Sequence, residues 1–459
     1  MMSNSADATS SQRRASYGPT SPKIGIRGAK TRQDILEAGL ACFSEFGFHL
    51  TAVADLAKTA GISRATMYQY FKSKEEVFLE LMTEAGAQLA RVVRRLGRLG
   101  PTIDGFDNLH WWLGEWSWVF ERYAPIFIEW ANVNAPNAPI RSTVHGFNEF
   151  HTKHLSRAIS TAGYTGDDPR TAAILCLALN NRYNYMRCVY KPNMTDNQLL
   201  DSLATATQLF LFPDTPRSIL ESGPRSSLRT PEIHPNSYPI AHLGAMGLLP
   251  TKSEQGDPSN FNHLSAAAKI TVRRLLDSSA QVFSKNGFAA SNIDLIVNEA
   301  GTARSTFYRY FDDKNQVLAA LSSETAVAMV PLFERYPSVV LNGNEDDLSE
   351  WLGNFLSVQR RYTGVLRVWT EGFPTSALLL GPSRDVVDEM GRSIVQTFGP
   401  RRSYALHRGA MGMLFASILE SFPNEALGSK VEPTDSQIIA CQKRFVTHVM
   451  LPDSHLWGN

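Results

Sequence analysis

The chain repeats itself. Thr31 to Leu81 aligns without a gap onto Thr271 to Leu321, 240 positions later, with 16 identities in 51 positions. The identities include Phe43/Phe283, Gly47/Gly287, Phe48/Phe288, Ala60/Ala300, Gly61/Gly301, Arg64/Arg304 and Thr66/Thr306, then Tyr68/Tyr308, Tyr70/Tyr310, Phe71/Phe311 and Lys74/Lys314. At offset 239 the match resumes, with WLGEW (Trp112–Trp116) on WLGNF (Trp351–Phe355) and ERYAPIFIEW (Glu121–Trp130) on RRYTGVLRVW (Arg360–Trp369). The repeat therefore covers a small head and the larger body behind it, and the fold must hold two similar units. At 459 residues the chain is also too long for one ordinary core.

The periodicity is helical throughout. In each head, apolar residues at Ile35, Leu36, Leu40 and Phe43, or their counterparts, follow the 3–4 spacing. Gly47 is placed to stop that helix and Thr51 to cap a short second one. Ala60-Gly61-Ile62 reads as a tight turn, Ser63 as the cap of a third helix and Ser73 as the cap of a fourth running toward Leu96. Helices are expected over 107–123, 125–134, 138–162, 169–189 and 195–212 in the first body. No convincing strand alternation or hairpin signal occurs, so the fold class is all-α.

The divisions follow. Residues 1–29 form a basic, Ser-rich arm expected to be disordered, 30–75 the first head and 76–212 the first body. A Pro-rich linker spans 213–262, with YPIAHLGAMGLLP as one docked segment, followed by the second head at 263–316 and the second body at 317–459.

Two helices joined by a short glycine turn make a helix-turn-helix, whose second helix offers free N–H groups and side chains to a nucleic-acid groove. In the first head the outward set is Arg64, Ala65, Tyr68, Gln69 and Tyr70, with Met67 and Phe71 inward. Arg64 can fork onto guanine, while Tyr68, Tyr70 and Lys74 are placed to hold phosphates. Small Ala65 lets the backbone approach the bases.

AxxAGISRATMYQYFKSKEEVF, from Ala57, resembles the DNA-binding head of the tetracycline-repressor (TetR) family, and EAGTARSTFYRYFDDKNQVL resembles it too. The resemblance covers the first three helices and the start of the fourth in both halves. It implies a head that reads double-stranded operator DNA and a helical body that holds a small, often apolar effector. Repression is the family default. It further implies contacts from Thr51, Ser63, Arg64, Ala65, Thr66, Tyr68, Gln69, Tyr70 and Lys74. In the second head the contacts are Ser291, Ala303, Arg304, Ser305, Thr306, Tyr308, Arg309, Tyr310 and Lys314. Family members usually pair as two-fold dimers. Here the bodies are expected to pair within one chain, 169–189 and 195–212 meeting about 403–422 and 435–451, with a homodimer of chains as the alternative.

The second head departs from the first. Ala303 cannot cap its reading helix, so Thr302 would have to serve. Lys72 and Ser73 become Asp312 and Asp313, placing negative charge near the expected phosphate. Gln69 becomes Arg309.

Aromatic residues crowd the first body. Trp112, Trp116, Phe120, Tyr123, Phe127 and Trp130 are too many for one thin core, and some are expected to line a pocket for a lipophilic effector. His145, Glu149, His151 and His154 suggest a metal only weakly, and a polar helix surface is preferred. We expect no metal and no cofactor. No nucleophile–base set or phosphate-binding glycine loop is evident, so an enzyme is not expected. The four cysteines, Cys42, Cys176, Cys188 and Cys441, form no metal or disulfide framework. The first residues lack a secretory apolar core and apolar runs are short, so a cytoplasmic protein with no membrane partner is expected, and the family resemblance implies a bacterial, nucleoid-associated one. A second reading is a ligand-binding or protein-interaction scaffold in which one or both heads have lost DNA.

Overall fold

The computed structural model of the chain describes residues 26–134, 138–224, 261–288, 290–370, 377–397 and 406–451. Among them there are helices and no strand. The first unit contains α1 (Ile26–Leu50), α2 (Val53–Thr59), α3 (Arg64–Tyr70), α4 (Lys74–Arg94) and α5 (Ile103–Arg122). It continues with α6 (Ala124–Asn134), α7 (Ala138–Thr161), α8 (Pro169–Tyr190), α9 (Asp196–Leu211) and the short α10 (Arg217–Ser222). The second contains α11 (Ala266–Asn286), α12 (Ile293–Glu299), α13 (Arg304–Tyr308), α14 (Lys314–Asn342) and α15 (Glu345–Thr370). It ends with α16 (Ala377–Thr397), α17 (Arg408–Ala416), α18 (Phe422–Leu427) and α19 (Asp435–Phe445). π-Helical turns at Ser417–Ser421 and Val446–Met450 follow α17 and α19.

The duplication reaches individual backbone angles. Gly47 (φ 75°) breaks the end of α1, and Gly287 (φ 74°) ends α11. Both lie in the left-handed region where a Cβ is strained. The chain breaks again at Tyr123 (φ −110°, ψ 23°) and Tyr362 (φ −113°, ψ 21°), so α15 is the kinked counterpart of α5 plus α6.

Two boundaries shift from expectation. Residues 26–29 already belong to α1, and α10 lies inside the stretch read as linker, with Leu220 buried against the first body. Residues 1–25 and the segment YPIAHLGAMGLLP lie outside the described residues. α14 is long and apolar enough to cross a membrane by length and composition, and in this fold it buries its apolar face along α15 and α16.

One apolar cluster runs through the first head and body and on into the second body, while the second head has its own. The halves meet at a seam. α8 packs on the π-helical turn Ser417–Ser421 and on α18, and α9 packs on α17 and the turn Val446–Met450. Arg182 pairs with Glu420 across it at 2.9 Å, and the Arg444 guanidinium donates to Phe210 O at 3.0 Å and Thr165 Oγ1 at 3.1 Å. The Ser202 hydroxyl accepts from His407 N at 3.0 Å.

Candidate nucleic-acid interface

The first head presents one end of α3. Gly61 (φ 67°) makes the turn, with Ile62 N donating to Ala57 O at 3.0 Å, and open space around Gly61 means that φ, not crowding, requires glycine. Ser63 Oγ accepts from Thr66 N at 3.0 Å and lies 2.9 Å from the half-buried Thr66 Oγ1, so α3 is capped as its sequence implies. Met67 and Phe71 anchor the helix in the core. That leaves Ser63, Arg64, Ala65, Tyr68 and Gln69 exposed, Tyr68 by 56%.

Three candidate contacts turn inward instead. Tyr70 is buried in the head core. Thr51 is buried too, and its hydroxyl donates back to Gly47 O at 2.8 Å. The position ahead of α2 is Ala52, whose N–H donates to Asp55 at 2.9 Å. Ser291 repeats the Thr51 arrangement with Gly287 O at 2.6 Å, and Asn292 caps α12. Lys74 is also turned toward the protein. Its Nζ donates to Phe48 O (2.7 Å), His49 O (3.0 Å) and Thr51 O (2.9 Å), and lies 4.6 Å from the Phe48 ring centre. An ammonium with three donors is saturated by those carbonyls, and a cation there also complements the helix C-terminus. Burial, opposed by Glu75, lowers its pKa from the usual lysine value. Lys314 does the same with Phe288 O and Ser291 O, both at 2.9 Å, beneath the Phe288 ring.

The second head is a weaker copy. Ala303 provides no cap and neither does Thr302, and α13 spans five residues where α3 spans seven. Arg304, Ser305, Tyr308 and Arg309 are exposed, while Thr306 and Tyr310 are half-buried. Arg304 Nε lies 3.4 Å from Asp294, a position that is Ala54 in the first head. Asp313 caps α14, accepting from Asn315 N (2.8 Å) and Gln316 N (2.9 Å). Burial pushes its carboxyl up, but those hydrogen bonds and neighbouring Lys314 hold it below its ordinary value.

The sequence signature described as "Bacterial regulatory proteins, tetR family" matches residues 35–81 and 275–321, the two heads just described. The chain carries two tetR-family heads in tandem. It is 41% identical over 84 residues to the HTH-type transcriptional repressor AcnR of Corynebacterium diphtheriae, covering 18% of this chain and 44% of that protein. It is 37% identical over 54 residues to the fatty acid metabolism regulator protein of Bacillus subtilis, covering 12% and 28%. The chain thus spans under half the length of these curated relatives. Among solved structures, the TetR family regulator PfmR of Thermus thermophilus aligns with a TM-score of 0.32 at 23% identity, over 39% of this chain and 96% of that one.

Each tetR head is tied to its body by a joint that the sequence did not announce. Arg122, at the end of α5, pairs with Glu37 of α1, and the Tyr123 hydroxyl accepts from Gln88 Nε2 at 2.8 Å and lies 3.5 Å from Glu84. In the second unit Arg361 meets Asp277 at 3.2 Å and Tyr362 lies 3.4 Å from Glu324. Burial, and then Glu84, push the Tyr123 phenol up to about 12, which keeps it a hydrogen-bonding neutral group. The pairs Glu37/Asp277 and Glu84/Glu324 share the 240-residue offset of the heads, which is the signal that reveals them.

The aromatic row of the first body is mostly core. Trp112, Trp116, Phe120 and Tyr123 are each less than 5% exposed and Phe127 stacks on Phe120 at 4.7 Å, while the side chain of Trp130 lies outside the described residues. The crowding argument fails because α5 is a central helix, covered by α4, α8 and α9 at once. Of the five whose side chains are described, Trp116 alone lines a cavity of about 510 Å³, together with His145, Glu149 and His151. Among the described residues no group of His, Cys, Asp or Glu is arranged to hold a metal.

Proposed function

We propose that the chain is a DNA-binding transcriptional regulator whose two unlike tetR heads read one operator. The observation that carries this reading is the exposed N-terminal face of α3. Arg64, Ala65, Tyr68 and Gln69 project from a capped helix whose opposite face is locked by Met67 and Phe71. Such a face is rigid before it meets DNA, as base readout requires. The similarity to the repressor AcnR over 84 residues favours repression. The seam supports an intramolecular pseudo-dimer as the unit that presents both heads. A small molecule held in the bodies would release DNA through the Arg122 and Arg361 joints, since both couple body helices to head helices. The test is footprinting on the DNA upstream of its own gene over a salt series. A salt-sensitive, sequence-confined footprint is expected, and equal binding to random DNA overturns the reading.

A second reading applies to the second head alone. Its missing cap, shorter α13 and the Arg304–Asp294 pair favour a head with weak DNA affinity.

A further inference from the structure

The cavity beside Trp116 lies on the seam and has a volume of about 510 Å³, within the usual size of small-molecule sites. Its apolar wall is Trp116 with Ile174 and Leu177 of α8, and α7 adds Asn148 and His151. The second half closes it with Glu425 of α18 and the segment to Glu432. We propose that this cavity binds one small organic cation per chain, an amine carrying an apolar portion, and holds its charge on Glu425. The assignment deepens the effector reading above and rests on that reading only for its consequence at DNA.

Two groups carry the chemistry, the buried His151 and the half-buried Glu425. His151 is 4% exposed and its Nε2 has no hydrogen-bond partner, a costly state unless something supplies one. Burial, with His154 nearby, holds that imidazole neutral at a pKa of about 4, so it can accept from an ammonium without repelling it. The Glu425 carboxylate accepts its hydrogen bond from the amide of Asn148, at 3.3 Å, rather than from a cation. Burial raises its pKa even though Arg367 pulls it down, as befits a carboxylate short of counter-charge. Glu149 is already bridged to Arg170 at 2.7 Å. At the mouth the exposed Glu432 and Lys430 offset one another, leaving Glu425 as the charge inside. An anionic ligand would meet that charge, whereas a cation satisfies it and gains Trp116 as an aromatic wall.

One site per chain follows from the repeat. Under the 239-residue offset, the positions equivalent to Asn148, His151 and Glu425 are Val387, Met390 and Met186. The other side of the seam therefore lacks these polar groups.

Calorimetric titration of the full chain with phenylpropylamine, phenylpropanol and phenylpropanoate tests the assignment. The amine is expected to bind once per chain, at least about tenfold tighter than the alcohol, with the carboxylate weakest, because a charged hydrogen bond is the stronger one. Glu425→Gln is expected to abolish that tenfold preference and leave alcohol affinity unchanged. Should that variant not fold, Glu432→Lys at the exposed mouth is expected to weaken the amine severalfold and spare the alcohol. Carboxylate binding as tight as the amine, or a preference untouched by these variants, overturns the proposal. No binding by any probe alongside intact DNA binding overturns the cavity assignment alone. Amine binding without any change in DNA affinity keeps the cavity and overturns ligand release.

Discussion

Lys74, expected as a phosphate contact, is already committed to the fold. It is identical in both copies, as are Gly47 and Phe48, and together these residues close the end of α1 onto the start of α4. Of the exposed reading positions nearby, Arg64 and Tyr68 are kept in both copies, while Ala65 becomes Ser305 and Gln69 becomes Arg309, which fits side chains that meet different bases. Lys74→Met is expected to lower stability by about 1–3 kcal/mol, since it strands carbonyls that the ammonium satisfies. The thermal midpoint of the variant should fall while the salt dependence of DNA binding stays close to the parent. A salt slope reduced by about one unit at unchanged stability would restore Lys74 as a phosphate contact. Arg64 behaves oppositely: Arg64→Ala is expected to cost about 1–3 kcal/mol at the cognate site and relax preference at one base pair. Arg304 has first to leave Asp294, so Asp294→Ala should tighten the second head by a few tenths of a kcal/mol to about 1 kcal/mol, the scale of an exposed pair. Unchanged affinity in Asp294→Ala, read against Arg304→Ala, would show that the pair does not restrain Arg304.

At the scale of elements, most of the architecture was legible. Period 3–4, Gly47, Ser63 and Ser73 each act through their nearest neighbours, and the helices they delimit sit where the spacing puts them. What stayed illegible depends on distant parts of the chain. The core role of the α5 aromatics follows from three covering helices, and the cavity from joining α7 to α18, some 280 residues on. Likewise the joints at Arg122–Tyr123, where α5 ends, and Arg361–Tyr362, at the kink of α15, pair body helices with acids on α1, α4, α11 and α14. Trp116 on the cavity wall and Arg122 at the joint share α5, so a movement of that helix is felt in the first head. Arg122→Ala is expected to leave DNA affinity within a fewfold of the parent and to cut the ligand's effect on it severalfold, the size of a coupling of about 1 kcal/mol. Coupling unchanged in this variant, measured by DNA titration with and without phenylpropylamine, would remove the joint from the route.

For the whole molecule, the seam decides which halves pair. Helices α7, α8 and α9 start 239 residues before α16, α17 and α19, so the counterpart of Glu420 is Asn181 and that of Arg182 is Ser421. Arg182 and Glu420 therefore meet close to the axis that relates the halves, and only unlike halves bring them together. Two first halves would set Arg182 against Asn181, and two second halves Glu420 against Ser421, each burying a charge without its partner. Removing one partner of such a pair costs roughly 3–5 kcal/mol, which disfavours like pairing more than it stabilises the unlike one. The chain should then bind DNA as one copy, and its operator should join unequal half-sites about one helical turn apart, because the two reading faces differ. The first head, capped and with Arg64 unopposed by a residue at position 54, should contribute more affinity. Tyr68→Ala is accordingly expected to weaken operator binding more than Tyr308→Ala, with light scattering reporting one chain per complex. A perfectly palindromic operator equally sensitive to both substitutions, bound by two chains, would overturn the pseudo-dimer and leave a homodimer that reads with one kind of head.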